Sequence, residues 1–465
     1  MKLFMALSII TILCFYSFAN GELNMEKIKN MIKQGKFTEA QKIIKSSLVN
    51  CQKAKIKKSL IYELKRMERI LLDFTLTKEE AFNQAYKIYP ITKKQFNKWE
   101  KEGYVEYMII DNKKLYFKWA GNNLFRVCPE AKKLIKNDNL TDSVSILLNQ
   151  NISKIKKEFK ETKKNLLQPK NIKITYQIKL KPNQNLQDEV IRAWLPFPQQ
   201  HKRQQNIKLI NTYPQNYILS PANFDHSSIY FEQLYQDQPV EFLVEFTYTS
   251  YGFYNEYNPD IATNTYPDSL KKYTQEKFPH IQFTDIIKNL SEEIVQNEKN
   301  HFKIAKKIYL WISKNIVWAA AREYSTIRNI PEYAIKHKWG DCGIQTLLLI
   351  TLCRYNNIPA RWQTGWVAIS NNSGMHDWAE IFIEPYGWIP VDPSYSDINL
   401  DFYFGNIDSY RLIINKDFSS RLYPMKTYIR SETVDFQRGE VEYAIDNLYF
   451  NLWNWKFKAE ILNEN

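Results

Sequence analysis

Cysteine is scarce in this chain of 465 residues: five in all, of which Cys51, Cys128, Cys342 and Cys353 lie beyond the first twenty positions. So few exclude a disulfide-held scaffold, and with no CxxC pair and no histidine-rich run there is no zinc pattern either. Neither a metal nor a cofactor is expected. Cys342 and Cys353 fall in one apolar helical stretch, about 16 Å apart at the helical rise, too far to bridge each other. A bridge between Cys51 and Cys128 stays open. Long apolar runs are also missing: beyond residues 3–18 none is long enough to cross a bilayer. What the chain does have is 44% hydrophobic and 15% aromatic residues, material for a large core and two or three domains.

The N-terminus reads Met1-Lys2, then an uncharged, mostly apolar run, then Ser17 and Ala19 as small residues flanking Phe18. This pattern predicts a signal peptide over 1–19, cleaved after Ala19, and an exported chain, periplasmic or secreted and soluble once cleaved. Leu13 ahead of Cys14 argues against a lipoprotein cleavage site. The net charge of +14 is uneven: residues 21–170 hold 33 Lys+Arg against 17 Asp+Glu, so everything beyond is slightly acidic. A basic region of this kind suits an anionic cell-envelope surface. Lysines scattered over many turns also suit plain solvated helix faces. An exported chain without a binding motif gives no reason to expect nucleic acid as a partner.

Residues 20–168 read as a basic, mostly helical region, with a hairpin around Asp111-Asn112. At Ile172 the period changes to two: Ile172, Ile174, Tyr176, Ile178 and Leu180 alternate with polar residues, and Val240 to Tyr248 repeats the pattern. A β-sandwich-like domain over 169–260 is expected. Residues 261–400 pass from helices into strands at about 361–369, 376–383 and 388–391, an α+β arrangement. Residues 401–465 form a strand-rich extension.

The chemistry is concentrated in the third region. Cys342, in Lys338-Trp339-Gly340-Asp341-Cys342-Gly343, heads an apolar helix, where unpartnered backbone N–H groups favour thiolate. His376 opens one strand after a polar loop, and Asp392 ends the next, before Pro393. A tight hairpin would bring imidazole and carboxylate together beside the thiol, as nucleophile, base and orienting group. The expected resting state is a thiolate–imidazolium pair. Taken singly, each residue also has an ordinary structural role: a small core thiol, a satisfied histidine, a turn aspartate. The backbone N–H of Cys342 is one oxyanion donor, with the indoles of Trp318 or Trp339 as candidates for a second. Trp362, Trp366, Trp378 and Trp388 either line a cleft or fill the core. Glu380 shares the His376 face and is a cleft carboxylate or a buried partner of Arg361.

These blocks resemble the transglutaminase-like superfamily: Gly340-x-Cys342, Ile358-Pro359-Ala360-Arg361, His376-x-Trp378-x-Glu380, and Gly387-Trp388-x-Pro390-Val391-Asp392-Pro393, in order across residues 300–400. The resemblance implies a papain-like α+β core with Cys342 as nucleophile, His376 as base and Asp392 as third member. Arg192-x-Trp194-Leu195-Pro196 is similar to the β domain that often precedes this core in exported bacterial members. Where many bacterial relatives carry an acidic residue two positions after the nucleophile, this chain has Ile344. The leading expectation is a cysteine peptidase or amidase acting on a peptide or protein through a thioester. A cross-linking transglutaminase shares the first half of that reaction, and a non-catalytic surface-binding scaffold is the reading outside enzymes.

Overall fold

A computed structural model describes residues 25–135, 143–182, 184–236, 238 and 240–462. The signal-peptide reading of residues 1–19 lies outside the described residues. Packing divides the chain after residue 134 rather than at 168, into units of residues 1–134 and 135–465. The boundary moves because the helix Ser143–Thr162, basic like the region before it, buries Ile152, Ile155 and Phe159 in a cluster with Leu167, Phe402 and Tyr403.

In the first unit, helices from Met25–Lys33 to Pro129–Leu134 surround a three-stranded antiparallel sheet, Phe74–Leu76, Lys113–Phe117 and Tyr107–Ile110. The expected hairpin is there: Asp111 and Asn112 both take positive φ, the geometry a two-residue turn between right-twisted strands requires. Thr77 and Thr92 begin their helices with capping boxes closed by Glu80 and Gln95. Cys128 is buried, Cys51 is half-buried, and both are free thiols, as are Cys342 and Cys353.

The second unit holds a sandwich and an α+β core. One sandwich sheet runs Trp453–Ile461, Leu166–Leu180, Glu241–Phe253, Gln204–Tyr213, and the other centres on Val190–Pro196 between Glu440–Glu442 and Ser228–Leu234. Ile172, Ile174, Tyr176 and Ile178 face inward, as the alternation predicted. The C-terminal residues are not a separate extension. They supply strands to both sandwich sheets, and Arg411–Asn415 pairs with Ala360–Val367 in the core sheet. Trp366, Leu412 and Ile414 accordingly pack into the sandwich interior. Among the described residues no helix is long and apolar enough to cross a membrane.

The core sheet is antiparallel, in the order Gly387–Val391, Gly374–Ile383, Ala360–Val367, Arg411–Asn415. Against it lies the helix Cys342–Tyr355, buried almost all round, which explains its uninterrupted apolar sequence. Its buried leucines and isoleucines join those of Asp285–Val295 and His301–Asn315 in one cluster.

Candidate active site

Cys342 is held at the start of its helix by three local devices. Asp341 is the N-cap, its Oδ1 accepting from Ile344 N at 3.1 Å. Trp339–Gly340 pairs in parallel with Val317–Trp318, which fixes the chain entering the helix. Glycine is required on both sides of the thiol: a Cβ at Gly340 would lie 2.3 Å from the Ile344 side chain, and one at Gly343 would lie 2.1 Å from the Tyr324 hydroxyl.

The imidazole and carboxylate meet as expected. The hairpin pairs Ala379 with Val391, so Asp392 emerges alongside the His376 strand. His376 Nε2 lies 2.7 Å from Asp392 Oδ2. Arg411 Nη1 donates to the same oxygen at 3.0 Å, and its Nε donates to Asp408 Oδ2 at 2.8 Å. Ser394 donates to Asp392 Oδ1. The Tyr395 ring packs on the imidazole with centroids 4.2 Å apart. Burial opposes the Asp392 charge, but His376 and Arg411 hold its carboxyl below the ordinary range. Burial lowers His376 despite the pull of Asp392, and Arg411 lowers it further. The ring is therefore neutral at neutral pH, with Nε2 turned to Asp392.

The thiol departs from expectation. Cys342 Sγ hydrogen-bonds to Asp377 Oδ2 at 3.4 Å, and no hydrogen bond joins it to His376. Burial raises the thiol well above its ordinary range, and the carboxylates of Asp377 and Asp341 add to that. The Asp377 backbone N–H works against them, and the balance favours a neutral thiol rather than the expected thiolate. Asp377 itself is pushed up by burial and by Asp435, against a hydrogen bond from Thr364. Burial likewise pushes Asp341 up to about 7, although the Tyr324 hydroxyl donates to it at 2.8 Å.

The remaining sequence candidates separate. Trp318 is exposed and sits in register with Gly340, two residues before the thiol. Trp339 is buried and packs against the His337 ring. Trp378 is fully buried and donates to Gln363 Oε1, so it is core rather than cleft, as are Trp362 and Trp366. Glu380 is not a cleft carboxylate: it is 1% exposed and binds Arg361 Nη2 at 2.6 Å and His201 at 3.5 Å. Burial works against its charge, but Arg361 holds it well below the ordinary range. Sequence reasoning missed Asp377, Tyr324 and Arg411. Strand alternation already places Asp377 on the face opposite His376, whereas Arg411 and Tyr324 come from distant segments without a motif. Among the described residues no cluster of three or more His, Cys, Asp or Glu could hold a metal ion.

Residues 288–393 match the model of the transglutaminase-like superfamily. The uncharacterised protein YebA of Bacillus subtilis is 20% identical over 127 residues, 23% of this chain and 17% of its own, so the match spans under a fifth of that relative. A provisionally assigned cysteine protease from Cytophaga hutchinsonii is similar in structure at 16% identity and a TM-score of 0.44, covering 64% of this chain and 93% of its own. The periplasmic domain of TgpA from Pseudomonas aeruginosa is 12% identical with a TM-score of 0.29, covering 48% of this chain and 90% of its own. With the four sequence blocks gathered on one helix and one antiparallel sheet, the segment 288–393 is a transglutaminase-like core.

Proposed function

We propose that this chain is an exported cysteine enzyme that cleaves amide bonds in a peptide or protein through a Cys342 thioester. The observation that carries the reading is the His376–Asp392 pair at 2.7 Å, in the superfamily segment that also holds a thiol at a helix start. As Sγ attacks the amide carbon, the thiol proton passes to Nδ1 of the neutral His376, and Asp392 stabilises the imidazolium that forms. The carbonyl electrons move to oxygen, where the backbone N–H of Cys342 donates and the Trp318 indole is the candidate second donor. Collapse expels the amine, which takes the proton from His376. Water, deprotonated by the same ring, then releases the acid and restores the thiol. Hydrolysis is preferred to amine transfer because water is always at hand and no dedicated amine site is apparent among the described residues. The export reading rests on the N-terminal sequence pattern.

The test is incubation with a glutamine-containing peptide and a labelled primary amine. Shortened peptide or free ammonia without incorporated label supports hydrolysis, and incorporation of label supports cross-linking. Neither product, from protein whose Cys342 still reacts with iodoacetamide, would leave the non-catalytic scaffold as the better reading.

A further inference from the structure

The thiol's hydrogen-bond partner is a carboxyl that the triad does not use. Asp377 Oδ2 lies 3.4 Å from Cys342 Sγ, while His376, one residue earlier, turns to the opposite face of the strand. Asp377 is 2% exposed, and among the described residues no Lys, Arg or His lies within ion-pair distance of it. Asp392 and Glu380, equally buried, each have an arginine. Arg438, one residue beyond Gln437, is taken by Glu323 and Glu432. A buried carboxyl without a counter-charge keeps its proton. The acids packed around it push the same way: Asp341 from the helix start, and Asp435, with Glu432 beside it, from the 432–438 segment.

The hydrogen bonds say which oxygen carries that proton. Oδ1 accepts from Gln437 Nε2 at 2.8 Å and from the Thr364 hydroxyl, so it is the carbonyl oxygen. Oδ2 faces Cys342 Sγ and, at 3.3 Å, the Tyr324 oxygen. The one hydroxyl hydrogen of Tyr324 goes to Asp341 Oδ1 at 2.8 Å, the shorter of its two contacts. That leaves the hydrogen on Asp377 Oδ2 as the donor beside the sulfur.

We propose that Asp377 is a catalytic residue in its neutral acid form, whose Oδ2–H donates to Cys342 Sγ and stabilises the thiolate as it forms. The proposal rests on Cys342 being the attacking nucleophile. The proton that leaves sulfur goes to His376, and Asp377 keeps its own throughout. A hydrogen bond strengthens when its acceptor becomes charged, so the contact favours the anionic sulfur over the resting thiol. A carboxylic acid kept neutral by burial is suited to this role. Asp377 opposes the thiolate only where it is itself ionised, above the pH range in which it holds its proton.

The experiment is the rate of Cys342 alkylation by iodoacetamide, a neutral probe, at pH 7 in the full chain, Asp377→Asn and Asp377→Leu. In Asp377→Asn, Gln437 and Thr364 hold the amide oxygen, so the amide N–H takes the place of the Oδ2–H. Its rate should stay within about threefold of the wild type, whereas Asp377→Leu, of similar size but without a donor, should react at least about tenfold slower. Faster reaction in both variants would mean that Asp377 is charged, and unchanged rates in both that it does not act on the sulfur. Equal slowing of both would make the side chain's shape the cause. Each of these three results overturns the proposal. If either variant does not fold, Cys342→Ser decides: exchanging sulfur for oxygen should move the carbonyl stretch of a protonated carboxyl in the infrared spectrum at pH 7, and an unmoved spectrum overturns the proposal. Neither readout depends on amide turnover, which is scored separately. A chain that meets both expectations and cleaves no amide leaves Asp377 as the donor and sinks the hydrolase reading alone.

Discussion

The two faces of one strand, Gly374–Ile383, treat charge in opposite ways. On the His376 face every buried charge has a counter-charge: Asp392 with His376 and Arg411, Asp408 with Arg411, Glu380 with Arg361. On the Asp377 face, carboxyls collect beside the thiol and burial pushes them up: Asp377 and Glu432 well above their ordinary range, Asp341 to about 7 and Asp435 to about 6. The paired face is built to hold a fixed geometry, and the acidic face is built to hold protons.

Breaking the paired face should have the largest effect. Asp392→Asn leaves the shape intact but offers the imidazole a neutral partner that no longer selects its tautomer or stabilises its cation. Turnover should fall on the order of 10^4-fold, with KM nearly unchanged, as steady-state kinetics will show. Retention of more than a tenth of the activity would remove Asp392 from the triad. Next in size is Arg411→Met, which deletes the cation between Asp392 and Asp408, both fully buried. Stranding two buried carboxylates should cost about 3–5 kcal/mol in urea unfolding. A loss below 1 kcal/mol would mean that solvent or another cation replaces the guanidinium.

Sharpening the comparison at the thiol calls for a steric change. Gly343→Ala places a methyl 2.1 Å from the Tyr324 hydroxyl, and so presses on the bridge between Asp341 and Asp377. A loss of about 1–3 kcal/mol is expected, and Gly343→Ala with Tyr324→Phe should recover only the hydroxyl's share of it, because the ring Cζ at 2.6 Å and Asp377 Oδ2 at 2.8 Å also crowd the methyl. Additive losses in the double variant would place the strain elsewhere.

What the sequence made legible followed physical periodicity and proximity. The sandwich strands were readable because a period of two over Ile172–Leu180 has one structural meaning, and the His376–Asp392 pairing was readable because a short hairpin leaves one way to meet. Arg411 was not legible: it lies 19 residues beyond Asp392, and its strand joins the opposite edge of the sheet. The thiol's protonation was misread for a related reason. A helix N-terminus is visible in sequence, but the burial and two carboxylates that outweigh it exist only after packing. The C-terminal strands misled in the same way, since nothing local says that Trp453–Ile461 will pair with Leu166–Leu180.

The smallest expected effect is also the most specific to the acidic face. Asp341 has a folded-state pKa of about 7, above the 3.8 of the free side chain, so the folded state binds its proton more tightly than the unfolded chain does. The stability contributed by this group is therefore full below about pH 4 and is lost as pH rises through 7. Buried histidines act in the reverse sense: burial lowers His280 to about 3 and His337 to about 4, so they favour folding above 6.5 and lose that contribution as pH falls. Between about pH 6.5 and 8 the acids act nearly alone, and one proton limits the slope to about 1.4 kcal/mol per pH unit. Urea unfolding across that window should show the wild-type chain gaining stability as pH falls and Asp341→Asn gaining less. Equal slopes would mean that Asp341 is already charged in the folded state, and that the acidic face differs from the paired one in position but not in the protons it holds.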